Sequence, residues 1–523
     1  MLNFLKGVVV MTGYIVPGCV SLLDFYNGEA DYTEAFQRAI ASLVGGGVVV
    51  VPQGSFYARQ IVLKRNVIIQ GLGVGATEII QTPNSNCDFV ISESFDDLTG
   101  SGLPFGADSR VPSWLGVKDI RINGNGSKQS AGRGIAWYGC ALLIKGDVFV
   151  HNCFGDNIYT EYAGTSISSA WQAQEEGLFD KVTSMGSLNG WGWRNRGPHN
   201  SVIASIIAGH NSAGGYISET LSGKYDGNVT EIGHLHTYAN ANGNGDAGAI
   251  IGSTTAIAHW IIDGDYGYVS ASACQFGRVK LINGGQSNNG LNVVGNYNNI
   301  GLFHGSMLSG TAGYAVLNVS GDGNSFAAVK AFGQAGAHRG LVVSGSGNEF
   351  SNVYVRECSV GVSVSGGLNT VSGKSLLSFS SGFDYKIPVE DAHAGKNDVD
   401  LDIFSTQGNY VTGDRPADQI DNFKIRATGL SKSASTSAEL QSPTFPLDST
   451  VLQTINLSHG LLYTPTRKSV GLTLLDGVPT DAAFVEVRAK VVGCDSDKIK
   501  IQVRVPQAAA AGSVARLGVK VVI

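Results

Sequence analysis

From Gly134 onward the chain repeats one short pattern, a small residue followed by four positions of alternating character. Gly134-Ile135-Ala136-Trp137-Tyr138 and Asn157-Ile158-Tyr159-Thr160-Glu161 open the series. Gly190-Trp191-Gly192-Trp193-Arg194, Gly215-Tyr216-Ile217-Ser218-Glu219 and Gly248-Ala249-Ile250-Ile251-Gly252 continue it, and later copies start at Gly290, Gly313, Gly340 and Gly361. Side chains alternate faces along a strand, so positions two and four (Ile135/Trp137, Ile158/Thr160, Trp191/Trp193, Leu291/Val293, Leu341/Val343) should point inward. Positions three and five should point outward; they are polar or irregular at first and apolar by Ala315/Leu317. The copies read as coils of about 20 to 25 residues with loops of variable length, which predicts an all-β solenoid, a parallel β-helix. The long gap from Gly248 to Gly290 leaves room for a further coil near Asp265–Val269.

The beginning of the chain has another period. Over residues 31–44, Ala35, Phe36, Ala39, Ile40 and Leu43 share one helical face, and Gly45-Gly46-Gly47 ends the helix. Val48–Val51 then reads as a buried strand. A short amphipathic helix in front of a sheet stack makes sense as an end cap for the first coil. The coil pattern fades near 412, residues 413–449 are rich in Ser and Thr and read as a linker, and 450–523 alternate strongly, as in Ile499-Lys500-Ile501-Gln502-Val503. That last stretch predicts a small antiparallel β-domain. The solenoid then runs over 21–412, and residues 1–20 read as a sticky N-terminal peptide that docks onto another protein.

Composition agrees. Of 523 residues 71 are Gly, and only 15% are charged, against about 25% in ordinary globular chains. A net charge of −6 with no basic stripe argues against nucleic acid as partner. The seven cysteines are dispersed, without metal spacing, and read as small buried hydrophobes. No D-x-D-x-D-G run occurs, so neither a metal nor another cofactor is expected.

Asp31, Thr33, Ala35, Phe36, Gln37, Ala39 and Ile40, followed by the glycines and Val48-Val49-Val50-Val51-Pro52-x-Gly54-x-Phe56-Tyr57, resemble the opening of the pectate-lyase-like β-helix domain of bacteriophage tailspikes. The family's usual run before this motif is shortened here to Asp24–Glu29. Residues 155–162, 190–200 and 214–220 look like runs of tailspike depolymerases, and Ser458-His459-Gly460-Leu461 with Tyr463-Thr464-Pro465 resembles C-terminal tail-fibre modules. The resemblance implies a right-handed parallel β-helix with a C-terminal trimerisation or sugar-binding module. It also implies a homotrimer on a virion tail, with a bacterial capsular or lipopolysaccharide glycan as ligand, docked to other phage tail or baseplate proteins through its N-terminus, without membrane insertion.

Stacked coils put equivalent positions about 4.8 Å apart. The fifth-position column then reads Tyr138, Glu161, Arg194, Glu219, Gly252. Two outward glutamates with an arginine between them fit the carboxylate pair of an inverting glycosidase, whose carboxyls stand roughly 6.5–9.5 Å apart. Glu161 and Glu219 are therefore the candidate acid and base, with Arg194 orienting substrate; the bland alternative is a surface ion-pair ladder. Asp263 and Asp265 have the spacing of one strand face and are further acid candidates, although Asp-Gly is also a turn pair. Tyr159, Asp156 and His199 are substrate-binding candidates, as is Trp171, in a loop insertion, for stacking on a sugar ring. Trp137, Trp191 and Trp193 read as core. Rival readings are a lyase using Arg194, His199, His210 or Tyr159, a non-catalytic receptor-binding spike, and a secreted or lipid-anchored β-helix enzyme.

Overall fold

The computed structural model describes residues 10–11, 14–15, 18–100, 112–162, 177–198, 200–220, 230–240, 247–284, 288–308, 312–333 and 338–377, and farther on the strands and short stretches between 383 and 522. The chain forms two compact units, Met1–His338 and Arg339–Ile523. No helix among the described residues is long and apolar enough to cross a membrane.

In the first unit, helix α1 covers Thr33–Ser42, inside the span its periodicity predicted, and buries Ala35, Phe36, Ala39 and Ile40. The Asp31 carboxylate accepts from the Thr33 N–H at 2.9 Å, which satisfies one of the free donors at the helix start. Strand Gly47–Val50 follows and pairs in parallel with Cys19–Ser21 and Val67–Gln70. A second short helix, α2, covers Phe95–Leu98.

Between Ile135 and Phe332 the described strands alternate between two parallel sheets. One sheet holds the odd-numbered strands: β1 (Ile135–Tyr138), β3 (Ile158–Glu161), β5 (Trp191–Arg196), β7 (Gly214–Ser218), β9 (Ala247–Ile251), β11 (Tyr266–Val269), β13 (Leu291–Val293) and β15 (Ala315–Val319). The other holds the even-numbered strands: β2 (Leu143–His151), β4 (Leu178–Met185), β6 (Ser201–Gly209), β8 (Thr230–Tyr238), β10 (Thr255–Asp263), β12 (Gln275–Ile282), β14 (Asn299–Ser306) and β16 (Ser325–Phe332). Each strand pairs with the same-sheet strand one coil away, the stacking pattern of a β-helix. The extra coil expected near Asp265–Val269 is β11. Trp137, Trp193, Trp260, Phe303 and Phe326 fill the interior. Each such phenylalanine stabilises the coil by about 1.5–3 kcal/mol relative to exposure.

The turns that lead into odd strands are held by a side-chain ladder. Asn157 Nδ2 donates to Asn211 Oδ1 at 3.0 Å, Asn211 Nδ2 to Asn240 Oδ1 at 3.0 Å, and Asn240 Nδ2 to Asp265 Oδ2 at 2.8 Å. All four residues are buried. Buried turns leave backbone groups without ladder partners, and an amide that both accepts and donates replaces them.

The second unit has parallel strands Arg339–Val343, Val360–Val364, Phe383–Lys386 and Val411–Thr412 in one sheet. Glu349–Arg356, Thr370–Leu377, Asp398–Ser405 and Asn422–Thr428 form the other. Parallel pairing thus runs past the expected end near 412, because Phe423, Ile425 and Ala427 continue the alternation. An antiparallel part follows, in which Ser437–Gln441, Phe445–Pro446 and Val470–Val478 pair with Val514–Val522. Lys498–Arg504 lies between Gln453–Ser458 and Arg488–Cys494. The stretch expected to be a linker, 413–449, therefore holds strands, and the antiparallel part begins by Ser437 rather than at 450.

Candidate functional site

The candidate residues gather on the outer face of the odd sheet, where β1, β3, β5 and β7 stack. Register decides the columns. Ile158 pairs with Trp193, Tyr159 with Arg194, Thr160 with Asn195 and Glu161 with Arg196. Trp193 pairs with Tyr216 and Asn195 with Ser218, and the Glu219 N–H donates to the Asn195 carbonyl at 2.9 Å. The acidic column is therefore Tyr138, Glu161, Arg196, Glu219. An arginine does stand between the two glutamates, but it is Arg196; Arg194 stands one column over, beside Tyr159. The expected alignment was displaced by two residues because Trp191-Gly192-Trp193 offers two tryptophans of the same parity. Packing selects Trp193, which meets Phe179 edge-on at 5.0 Å and donates through Nε1 to Thr160 Oγ1 at 3.1 Å. Trp191, expected inside, packs instead with Ile217, Ala247, Ile250 and Tyr266. Ile217 and Ile250 lie in the Arg194 column.

Arg194 is shared by two carboxylates. Its Nε lies 3.2 Å from Asp156 Oδ2 and its Nη1 3.6 Å from Glu219 Oε2. Arg196 Nε donates to the same Glu219 oxygen at 2.6 Å. Asp156 stands in the turn just before β3, and its Oδ1 also accepts from the Trp191 N–H at 2.7 Å. One guanidinium contacts both, so the Asp156 and Glu219 carboxyls stand at most about 9 Å apart, no farther than the pair of an inverting glycosidase. Burial pushes the Asp156 carboxyl above the usual carboxylate range, against the Trp191 N–H, Arg194 and Arg133, while nearby Glu219 adds to the rise. Asp156, Arg194, Arg196 and Glu219 all keep part of their side chains in solvent.

Glu161 is not in an open groove. It is 0% exposed. Gly100 N donates to its Oε1 at 2.6 Å and the Tyr159 hydroxyl donates to its Oε2. The cover comes from α2: Phe95 and Leu98 pack with Ile91, Ala136, Tyr138, Tyr159 and Tyr162, so this end of the face is apolar. Phe95 meets Tyr159 edge-on at 5.9 Å. Burial, followed by the Glu161 charge, pushes the Tyr159 phenol well up, against the pull of Arg196. Arg196 Nη1 donates to the Tyr159 oxygen at 3.2 Å. Burial opposes charge on Arg196, but Tyr159 and Glu219 outweigh it and hold the guanidinium firmly protonated.

Arg133 completes the wall. It binds Asp88 through two nitrogens, Nε to Oδ1 at 3.0 Å and Nη2 to Oδ2 at 2.7 Å. Its guanidinium lies 4.5 Å from the Tyr159 ring centroid and 4.9 Å from that of Phe95. Sequence reasoning missed Arg196, Arg133 and Asp88. The Arg194-Asn195-Arg196 spacing would have revealed the first, since it sets two arginines outward on one strand; Arg133 and Asp88 come together only through register.

Asp263 and Asp265 do not share a strand face. Asp263 ends β10 in the even sheet, Gly264 turns with φ 75°, and Asp265 lies buried in the turn beyond. There Asp265 accepts from Asn240 N at 2.9 Å and Asn240 Nδ2 at 2.8 Å, closing the amide ladder. Burial raises its carboxyl to about 6. Trp171 and His199 lie outside the described residues. Among the described residues no group of three His, Cys, Asp or Glu side chains is set to hold a metal ion.

The chain is structurally similar to phage tailspikes. The Pseudomonas phage phi297 tailspike gp61 matches at 11% identity and TM-score 0.37, over 95% of this chain and 93% of that one. The Gp54 tailspike of Acinetobacter baumannii bacteriophage AP22, solved with a capsular saccharide, matches at 8% identity and TM-score 0.41, over 96% of each chain. The A-module of Azotobacter vinelandii mannuronan C-5 epimerase AlgE4 matches at 14% identity and TM-score 0.42, over 78% of this chain and all of that one. Tailspikes and epimerase A-modules are right-handed parallel β-helix proteins. At these levels the likenesses assign no role to any residue of this chain. The sequence matches no protein-family model and no curated protein.

Proposed function

We propose that this chain is a tailspike-type protein that binds and hydrolyses a bacterial surface polysaccharide, capsule or O-antigen, on the outer face of the odd sheet. The observation that carries the reading is the single guanidinium of Arg194 held between the carboxyls of Asp156 and Glu219. Asp156, whose carboxyl burial holds in its protonated form to higher pH, is the acid. Glu219, paired with two arginines, is the base. The glycosidic C–O bond breaks as the Asp156 proton passes to the leaving oxygen. Water attacks the anomeric carbon and gives its proton to Glu219. Glu161 is covered, so it acts through Tyr159 and Arg196 as a positioning residue. In the same reading the chain works as a homotrimer on a phage tail, docked through residues 1–20.

A lyase with Tyr159 as its base finds less support, because the phenol is engaged as donor to Glu161 and burial pushes it up. The decisive experiment incubates the purified protein and the variants D156N and E219Q with polysaccharides from a panel of bacteria, followed by mass spectrometry of soluble products. Hydrolysis gives products carrying one added water, lost in both variants. Unsaturated products, or wild-type rates in both variants, overturn the acid–base pair. Binding without cleavage of every polymer leaves a receptor-binding spike.

A further inference from the structure

The even sheet carries a second surface of different chemistry. Its register stacks His234, His259 and Arg278 in one outward column, and His236, Ile261, Lys280, His304 and Lys330 in another. Seven groups that are or can become cations thus occupy five successive rungs, β8 to β16. Arg278 and Lys330 are exposed and the other five half-buried. His234 lies 5.2 Å from His259 and 6.3 Å from His236, ring centre to centre. On the same strands the outward acids are Glu231, on the far side of His234, and Asp263, at the end of β10. Tyr238 lies 5.3 Å from the His236 ring, and His210 meets Tyr238 from the neighbouring rung. No basic stripe was expected, because its members lie on separate coils; the register builds one in a chain whose net charge is −6.

We propose that this strip is a binding site for a linear carboxylate-bearing glycan laid along the coil axis, held more tightly as pH falls. Rungs repeat about every 4.8 Å, so a polyanion on this axis meets a cationic group at each step. The choice of glycan among polyanions rests on the polysaccharide reading above; the strip itself does not depend on the acid pair. Nucleic acid fits poorly. The aromatic rings beside the strip, Tyr238 and Phe332, are half-buried at its edge and offer no open plane for base stacking.

The pH dependence follows from what surrounds the rings. Burial lowers His236, with His234 adding and Asp263 opposing. Burial also lowers His259 and His304, with the neighbouring Arg278 and Lys280 pushing the same way, and Lys330 too at His304. His236 Nε2 and His259 Nε2 are enclosed without a hydrogen-bond partner among the described residues, so the protein offers no acceptor there to stabilise the charged ring. At neutral pH the permanent charges are Arg278, Lys280 and Lys330. An anion between the columns offsets the share of the lowering at His259 and His304 that comes from the neighbouring cations, so binding takes up protons and strengthens in acid.

The test measures binding of polygalacturonate to the full-length protein by biolayer interferometry at about pH 7.5 and about pH 5.5, with dextran, dextran sulfate and duplex DNA as comparison probes. The expected result is affinity for polygalacturonate about tenfold higher at the lower pH and no binding of dextran. R278S/K330S, both exposed and safe for folding, weakens binding at both pH values; H234N/H236N/H259N/H304N flattens the pH dependence. D156N and E219Q keep the binding, which separates this site from the acid pair. Equal binding of dextran, preference for DNA or dextran sulfate, or unchanged affinity in R278S/K330S overturns the proposal. So does the absence of any polyanion binding together with an altered oligomeric state of R278S/K330S by light scattering, which makes the strip an interface between copies.

Discussion

Tyr159 donates its hydroxyl proton to Glu161, two residues farther along the same strand, and its oxygen receives Arg196 Nη1 at 3.2 Å. Both side chains leave the same face of β3, and Glu161 is fully buried beneath the cover from α2. Tyr159→Phe therefore leaves one buried Glu161 oxygen short of a partner and takes one acceptor from Arg196. A buried group so deprived costs about 1–3 kcal/mol. The urea midpoint of Y159F should fall accordingly, whereas E161Q, which keeps an oxygen for the Gly100 N–H, should lose less. An unchanged midpoint in Y159F would show that the pair is not closed in solution.

Arg194 restrains Asp156. The guanidinium opposes the rise that burial imposes, so Arg194→Ala lets the Asp156 carboxyl climb further. A general acid works while protonated, and its rate fades above its pKa. The alkaline limb of the cleavage profile should therefore move to higher pH in R194A, while kcat drops by about 100-fold or more through lost orientation. A fall in kcat with the limb in place would assign the acid elsewhere.

Asp265 should betray its ladder role through pH. Its folded-state pKa of about 6 stands above the ordinary 3.8, so the fold binds that proton more tightly than the unfolded chain. Its contribution is complete below about pH 4 and is lost as pH rises through about 6, on the order of 2–3 kcal/mol for a group this buried. The stability of Asp265→Asn relative to wild type should thus grow between those pH values, with polysaccharide cleavage retained. Loss of cleavage with no change in the pH dependence of unfolding would return Asp265 to the list of acids.

Asn211 stands between the other two amides of the ladder. Its side chain receives Asn157 Nδ2 and the Ser187 N–H and donates to Asn240 Oδ1 and the Ser184 carbonyl. Asn211→Leu removes all four bonds at once. A loss of about 3 kcal/mol or more is expected, read as a lower urea midpoint. A midpoint within error of wild type would mean that backbone pairing alone holds these turns.

The helical period over 31–44 was enough to predict α1, and the period-two alternation was enough to predict parallel coils and the inward rank of Trp137 and Trp193. It located the face that carries Glu161 and Glu219. It could not set register on β5, because Trp191 and Trp193 satisfy the same pattern and only the Phe179 and Tyr216 rings select one. Nor could it reveal that Glu161 is covered: the Gly100 N–H comes from 61 residues upstream, through a contact that no local pattern encodes. The strip on the even sheet was hidden for the same reason, its members lying two residues apart within a strand and a full coil apart between strands.

The amide ladder also has a direction. Every link from Asn157 to Asn240 passes a donor toward the C-terminus, and each amide that receives one must hand one on. An asparagine at the last place would need a further acceptor. A carboxylate, which only receives, works as a full stop. Coils added or removed within the run would leave this grammar intact as long as they come whole, whereas a partial coil would break it. The protein can thus change length only in complete sentences, and Asp265 marks where this one ends.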